Sequence, residues 1–174
     1  IFNKLSNQTK FLKVDHLNSQ FYYENFNKKN IKNFKEFFYE ENKNLILRDE
    51  TVEINKDIYI PKGYKVIIKP GQKLFLTNKA FIMSNSPWLI GGEGNPVIIS
   101  GNTDDLGGGI FIGDTEEISK IKNTKFSNLV GFNFNKNYEY IILGSINFHQ
   151  TKVVIKDFNF KNIFSEDAIN VFRS

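Results

Sequence analysis

One internal repetition limits the fold more than any other feature. The stretch KIKNTKFSNLVG from Lys120 matches VIKDFNFKNIFS from Val154 under a shift of 34. Ile121 falls on Ile155, Asn123 on Asp157, Phe126 on Phe160, Asn128 on Asn162 and Leu129 on Ile163. A second series, GIFI, SINF and DAINV, places Ile110, Ile146 and Ile169 at spacings of 36 and 23. A third link of 23 runs from Ile98 to Ile121. A unit of roughly this length that swells where a turn carries an insertion is the pattern of a stacked-repeat chain, each unit covering its neighbour's apolar face.

The local signals agree from residue 51 onward. Short runs such as TVEI, DIYI, KVIIK, KLFL, AFIM, WLI, PVIIS, GIFI, YIIL, INF, VVI and AINVF are rich in Ile, Val and Phe. Gly, Pro, Asn or Asp turns separate them. Strands this short suit a coiled solenoid better than a sandwich of hairpins. Inward side chains would stack on their equivalents in the next coil. Asn and Asp at the turns would accept left-handed backbone and form ladders between coils.

Before residue 51 the chain reads differently. Ile31, Phe34, Phe37 and Phe38 fall at helical spacing after Asn30, a suitable N-cap, so the pattern predicts an amphipathic helix over about 30–42. Residues 1–50 are therefore read as an N-terminal cap region, with an extended piece at KFLKV, and 51–174 as the coils. The first residues lack a signal peptide's apolar core. With its start at Ile1, the chain is expected to be part of a longer parent, whose remainder would be its nearest partner.

YIPKGYKVIIKPGQKLFL, AFIMSNSPWLIGGEGNPVIISG, GSINFHQTKVVIKDFNFKNI and SEDAINVFRS resemble right-handed parallel β-helix proteins of the pectin-lyase-like superfamily. More narrowly, they resemble large bacterial members whose coils recur as S-(E/D)-D-A-(I/L)-(N/D). The resemblance covers about 51–174 and implies a mainly β, right-handed parallel β-helix with a short N-terminal helical cap. It also implies an exported or cell-surface setting and further coils beyond the last one. It does not choose an activity, since such folds include lyases, hydrolases, epimerases, tailspikes and adhesins.

Composition narrows the chemistry. The chain has no Cys, which excludes disulfides, thiolate metal sites and a Cys nucleophile. Its +4 charge comes from lysines scattered among acids, so no nucleic-acid partner is expected. No apolar run reaches the length of a membrane span. His16 and His149, the only histidines, lack metal-ligand spacing.

Three groups of residues could carry function. Glu166 and Asp167 in SEDAIN resemble the acids of polygalacturonase-type coils. Inverting hydrolysis needs two separated carboxyls, so a third acid would have to join them. The plain structural account is that Asp167 caps a turn and Glu166 is solvated. Arg173 resembles the proton-abstracting Arg of pectate lyases, though no Asp cluster accompanies it. Asn147 and Asn170 should stack one coil apart on an outer face, with His149 nearby, as a row able to hydrogen-bond sugar hydroxyls or simply to face solvent. Asp104, Asp105 and Asp114, with Glu116 and Glu117, could hold Ca²⁺ beside flexible glycines or be ordinary loop acids. Otherwise no cofactor is expected. Trp88 reads as core.

The reading is a scaffold or binding module for polysaccharide or another surface protein. The alternatives are a carbohydrate-active enzyme, either an inverting glycoside hydrolase or a polysaccharide lyase, and a self-assembling structural or coat protein.

Overall fold

The computed structural model describes residues 33–131 and 144–172. These form a mainly β structure. After a 3₁₀ turn at Asn33–Glu36 come β1 (Phe38–Glu41), β2 (Asn44–Leu47), β3 (Thr51–Ile54), β4 (Ile58–Ile60), β5 (Lys65–Ile68), β6 (Lys73–Leu76) and β7 (Phe81–Ser84). There follow β8 (Trp88–Gly91), β9 (Val97–Ser100), β10 (Gly109–Gly113), β11 (Ser119–Leu129), β12 (Gly144–His149), β13 (Val153–Ile163) and β14 (Asp167–Phe172).

Among the described residues, all strand pairings but one are parallel. One sheet runs β1-β2-β5-β8-β11-β9-β6-β3, with β13 beside β11, and a second runs β14-β12-β10-β7-β4. The larger sheet is two stacks joined through the long strands β11 and β13. Their first halves lie beside β8 and their second halves beside β9. The chain thus visits three stacks in a fixed order. β2, β3 and β4 make one circuit, β5 to β7 the next and β8 to β10 a third. β11 with β12, and β13 with β14, make the last two.

The cause lies in the residues. β3, β5 and β6 alternate buried and more exposed positions, sending Val52, Ile54, Val66, Ile68, Leu74 and Leu76 inward. These meet Ile82, Trp88, Ile110, Ile121, Phe126 and Phe148 in one core. Fully burying such a side chain is worth about 1.5–3 kcal/mol, so each circuit is held by the one beneath it. At the bends, Asn123 and Asp157 take left-handed φ of 50° and 54°, and Asn128 and Asn162 take 54° and 52°. Their short polar side chains make that conformation cheaper than it is for bulkier residues. The Asn162 side-chain amide donates to Asn128 Oδ1 at 3.1 Å, and Asn128 Nδ2 donates to the Gly101 carbonyl at 3.2 Å. The expected turn ladder is present.

The repeat registers largely match the sequence pattern. Ile121 pairs with Ile155, Phe126 with Phe160 and Leu129 with Ile163. Ile110 aligns with Ile146, and Ile146 with Ile169. The third link fails. Ile98 pairs with Lys125 and Ile121 with Ile90, because the loops between β9 and β11 stretch that circuit beyond 23 residues.

Among the described residues the predicted helical cap is not found. Residues 30–32 lie outside the described part, and the rest of 30–42 forms the 3₁₀ turn and β1, which pairs antiparallel with β2. The two-residue loop Asn42-Lys43 has φ of 49° and 62°, the double left-handed geometry of a hairpin turn whose twist suits flanking strands. Phe34, Phe37 and Phe38 are buried in the main core, as their spacing suggests, but a turn and a strand deliver them. The aromatic run has strand propensity, and its spacing mimics a helical period. Arg48 Nε and one terminal nitrogen donate to the Lys35 carbonyl at 3.2 and 2.8 Å, tying the turn to β2.

Among the described residues, no helix is long and apolar enough to cross a membrane. His16, Arg173, KFLKV, YIIL and most of the loop 131–140 lie outside the described residues.

Candidate functional site

The turns that return the chain from the third stack to the first line a cleft of about 530 Å³. It is walled by the β1–β2 hairpin, the 61–64 turn and the 114–117 turn, with Asn85 and Pro87 between them. Its base is the tight turn Ser84-Asn85-Ser86. Ser84 Oγ donates to the Ser86 carbonyl at 2.9 Å and accepts from the Ser86 N–H at 3.1 Å. Ser86 Oγ reaches back one circuit to the Pro61 carbonyl at 2.6 Å. Asn85 links both neighbours: its Oδ1 accepts from the Tyr59 hydroxyl at 2.6 Å, and its Nδ2 donates to the Gly113 carbonyl at 2.8 Å. Both serines and Asn85 are buried, so the base is a satisfied polar network and correspondingly rigid.

Two ion pairs span the cleft. Lys62 Nζ lies 2.8 Å from an Asp114 carboxylate oxygen and Lys65 Nζ lies 2.6 Å from Glu117. Each is largely exposed, so each is worth between nothing and about 1 kcal/mol and can open for a ligand. Lys43, Glu116, Asn44 and Tyr64 complete the wall. Amides, an aromatic ring and paired charges of both signs suit a hydroxyl-rich ligand. The two best-placed acids already have lysine partners.

The sequence-predicted residues disperse around this framework. Asp114 lines the cleft, whereas Asp105 sits at another corner, where its carboxylate accepts the Asn78 N–H at 2.6 Å. Asp104 is exposed in the same loop as Asp105. Among the described residues, no three His, Cys, Asp or Glu side chains meet in a way that could hold a metal ion. Glu166 lies in the turn from β13 to β14, and Asp167 is the first residue of β14. There Ser165 Oγ donates to the Asp167 carbonyl at 2.6 Å, and neither acid lines the cleft. Trp88 is fully buried in the core.

Asn147 and Asn170 do stack in register on the third stack. Asn147 is nonetheless fully buried. Its Nδ2 donates to the Gly144 carbonyl at 2.7 Å while its Oδ1 accepts the Gly144 N–H at 3.0 Å. That amide locks the start of β12, leaving little capacity for a ligand. His149 lies between Phe111 and Phe172, with ring centroids 4.9 and 5.4 Å away. Its Nε2 is buried without a hydrogen-bond partner. Burial pushes its imidazole below the usual value, partly offset by the Asn170 side chain.

No protein-family profile, curated protein or solved structure matches this chain.

The cleft residues Lys62, Tyr64, Lys65 and Asn85 escape a reading of the sequence, although PKGYK and SNSPW do lie one circuit apart. The parallel pairing of Val66 with Trp88 is the register that brings those turns together.

Proposed function

We propose that the chain is a right-handed parallel β-helix acting as a binding module of a larger exported or surface protein, and that it holds polysaccharide in the corner cleft. The observation that carries this reading is the cleft itself, with a rigid hydrogen-bonded base, amide and aromatic walls, and acids held in ion pairs by Lys62 and Lys65. Both acids are engaged by lysines across the cleft, and inverting hydrolysis would need two separated carboxyls free to act on the substrate. Three parallel stacks visited in constant order, with Asn and Asp at the bends, support the β-helix.

The test is a glycan array followed by calorimetry on the retained oligosaccharide, comparing the parent chain with Asn44→Ala and Tyr64→Ala. Retention with at least tenfold weaker binding by either variant is the expected result. Absence of retention would sink the binding reading. Release of new reducing ends, lost in Glu166→Gln or Asp167→Asn, would replace it with a hydrolase.

A further inference from the structure

Lysines that look scattered along the sequence are gathered by the fold. β11 carries Lys120, Lys122 and Lys125 with no acid, and β13 carries Lys156 and Lys161 with Asp157 alone. The strands lie side by side in parallel register, with Lys122 directly on Lys156. The equivalent strands of earlier circuits carry fewer charges, with Glu53 in β3, Lys65 in β5 and Lys73 in β6. β2, β8 and β9 have no charged residue. The five lysines therefore form one ribbon along the outer faces of two circuits, on both sides of the bend at Asn123 and Asp157.

Their side chains are available. Lys120, Lys125, Lys156 and Lys161 are exposed, and Lys122 is half-buried. Lys122 pairs with the highly exposed Glu93, which together with Asp157 holds its ammonium above the usual value. The other four have no ion pair among the described residues. Adjacent strands lie about 4.8 Å apart, and side chains on one face of a strand recur every 6.6–6.8 Å or so. The ribbon thus sets five cations along two adjacent strands, with Lys122 opposite Lys156 and the others offset along the strands. At the one in-register lysine pair, Lys122 with Lys156, a polymer would exchange its own charge for the exposed Glu93.

We propose that this ribbon docks a linear phosphate-bearing polymer. Lys122 and Lys156 can converge on a single phosphate, whose oxygens point in several directions and accept from two circuits at once. A planar carboxylate is better matched by the fork of an arginine, and the ribbon has no Arg. Lysine acts as a point charge, so docking reads charge spacing along the polymer and not base identity. Phe158, 47% exposed on β13, is the one largely exposed ring on these two strands, whereas single-stranded nucleic acid is held by successive stacking rings. The ribbon is separate from the cleft and does not depend on it.

The test titrates the full chain with inorganic polyphosphate at several salt concentrations, followed by fluorescence anisotropy. Binding should weaken linearly in log–log form, with a slope near 0.7 per engaged lysine. Lys120→Gln, Lys156→Gln and Lys161→Gln should each reduce that slope by about 0.7 to 1. All three positions are exposed, and circular dichroism confirms that each variant folds. Lys62→Gln, in the cleft, should change nothing here, which separates failure of the ribbon from failure of the cleft. No binding at about 50 mM salt, or binding unmoved by the ribbon variants, overturns the proposal. So does clearly tighter binding of polygalacturonate or of single-stranded DNA matched in charge.

Discussion

Phe126 and Phe160 stack with ring centroids 4.9 Å apart and planes inclined by 18°, one on each of two consecutive circuits. Phe126 is 2% exposed, whereas Phe160 is only half-buried. That contrast sets the energetics of the last circuit. Truncating Phe126 leaves a cavity in the closed part of the core and should cost about 3–5 kcal/mol by chemical denaturation. Phe160→Ala should cost clearly less, because part of its ring already meets water. A double-mutant cycle should return a coupling of about 0.5–1.5 kcal/mol. Equal losses for the two single variants would contradict the described stacking.

Asn128 separates backbone geometry from side-chain bonding. Its φ is 54°, its Nδ2 donates to Gly101 and its Oδ1 accepts from Asn162. Asn128→Gly keeps the left-handed bend and loses only the ladder. Asn128→Val loses the ladder and forces a β-branched residue into left-handed backbone, adding about 1–3 kcal/mol. Thermal unfolding should therefore rank the parent first, Gly second and Val last. Val equal to Gly would mean that the bend is not needed.

These two sites also show what the sequence discloses. Phe126, Phe160, Asn128 and Asn162 repeat because neighbouring circuits impose the same inward ring and the same bend, so self-similarity reports stacking directly. The larger sheet's split into two stacks is less visible. It hangs on left-handed Asn123 in β11 and Asp157 in β13, where the inward alternation slips by one position, as from Ile121 to Thr124. Asn147 reads as a surface amide because strand alternation places it outward, and alternation cannot reveal that an outward position is covered. The cleft is harder still, since its lysines and acids lie in different circuits and meet only once the turn lengths are known. The hairpin misleads because Phe34 in the 3₁₀ turn, Phe37 after it and Phe38 in β1 all reach the core, as one face of a helix would.

Lys43 tests that hairpin. Both residues of its turn are left-handed, and a lysine pays a steric cost there that glycine does not. Lys43→Gly should raise stability by up to about 1 kcal/mol once glycine's extra unfolded-state freedom is deducted. The midpoint of denaturant unfolding would move upward without a change in slope. A lower midpoint would show that the Lys43 side chain stabilises the turn by more than the strain it brings.

His149 gives the fold a pH dependence of definite sign. Burial lowers its pKa from 6.5, so the folded chain prefers the neutral ring more than the unfolded chain does. Above about pH 6.5 both states are mostly neutral and stability is fully present. As pH falls below that value the unfolded state takes up a proton first, and stability drops until the folded-state pKa is passed. The rings of Phe111 and Phe172 can interact with an imidazolium, but they do not replace the water that burial removes from Nε2. Thermal midpoints between pH 8 and 5 should therefore fall more steeply for the parent than for His149→Phe, which keeps the ring packing and removes the titration. His16 is common to both proteins, so its contribution cancels in the difference. Parallel pH profiles for the two would show that His149 titrates alike in the folded and unfolded chain.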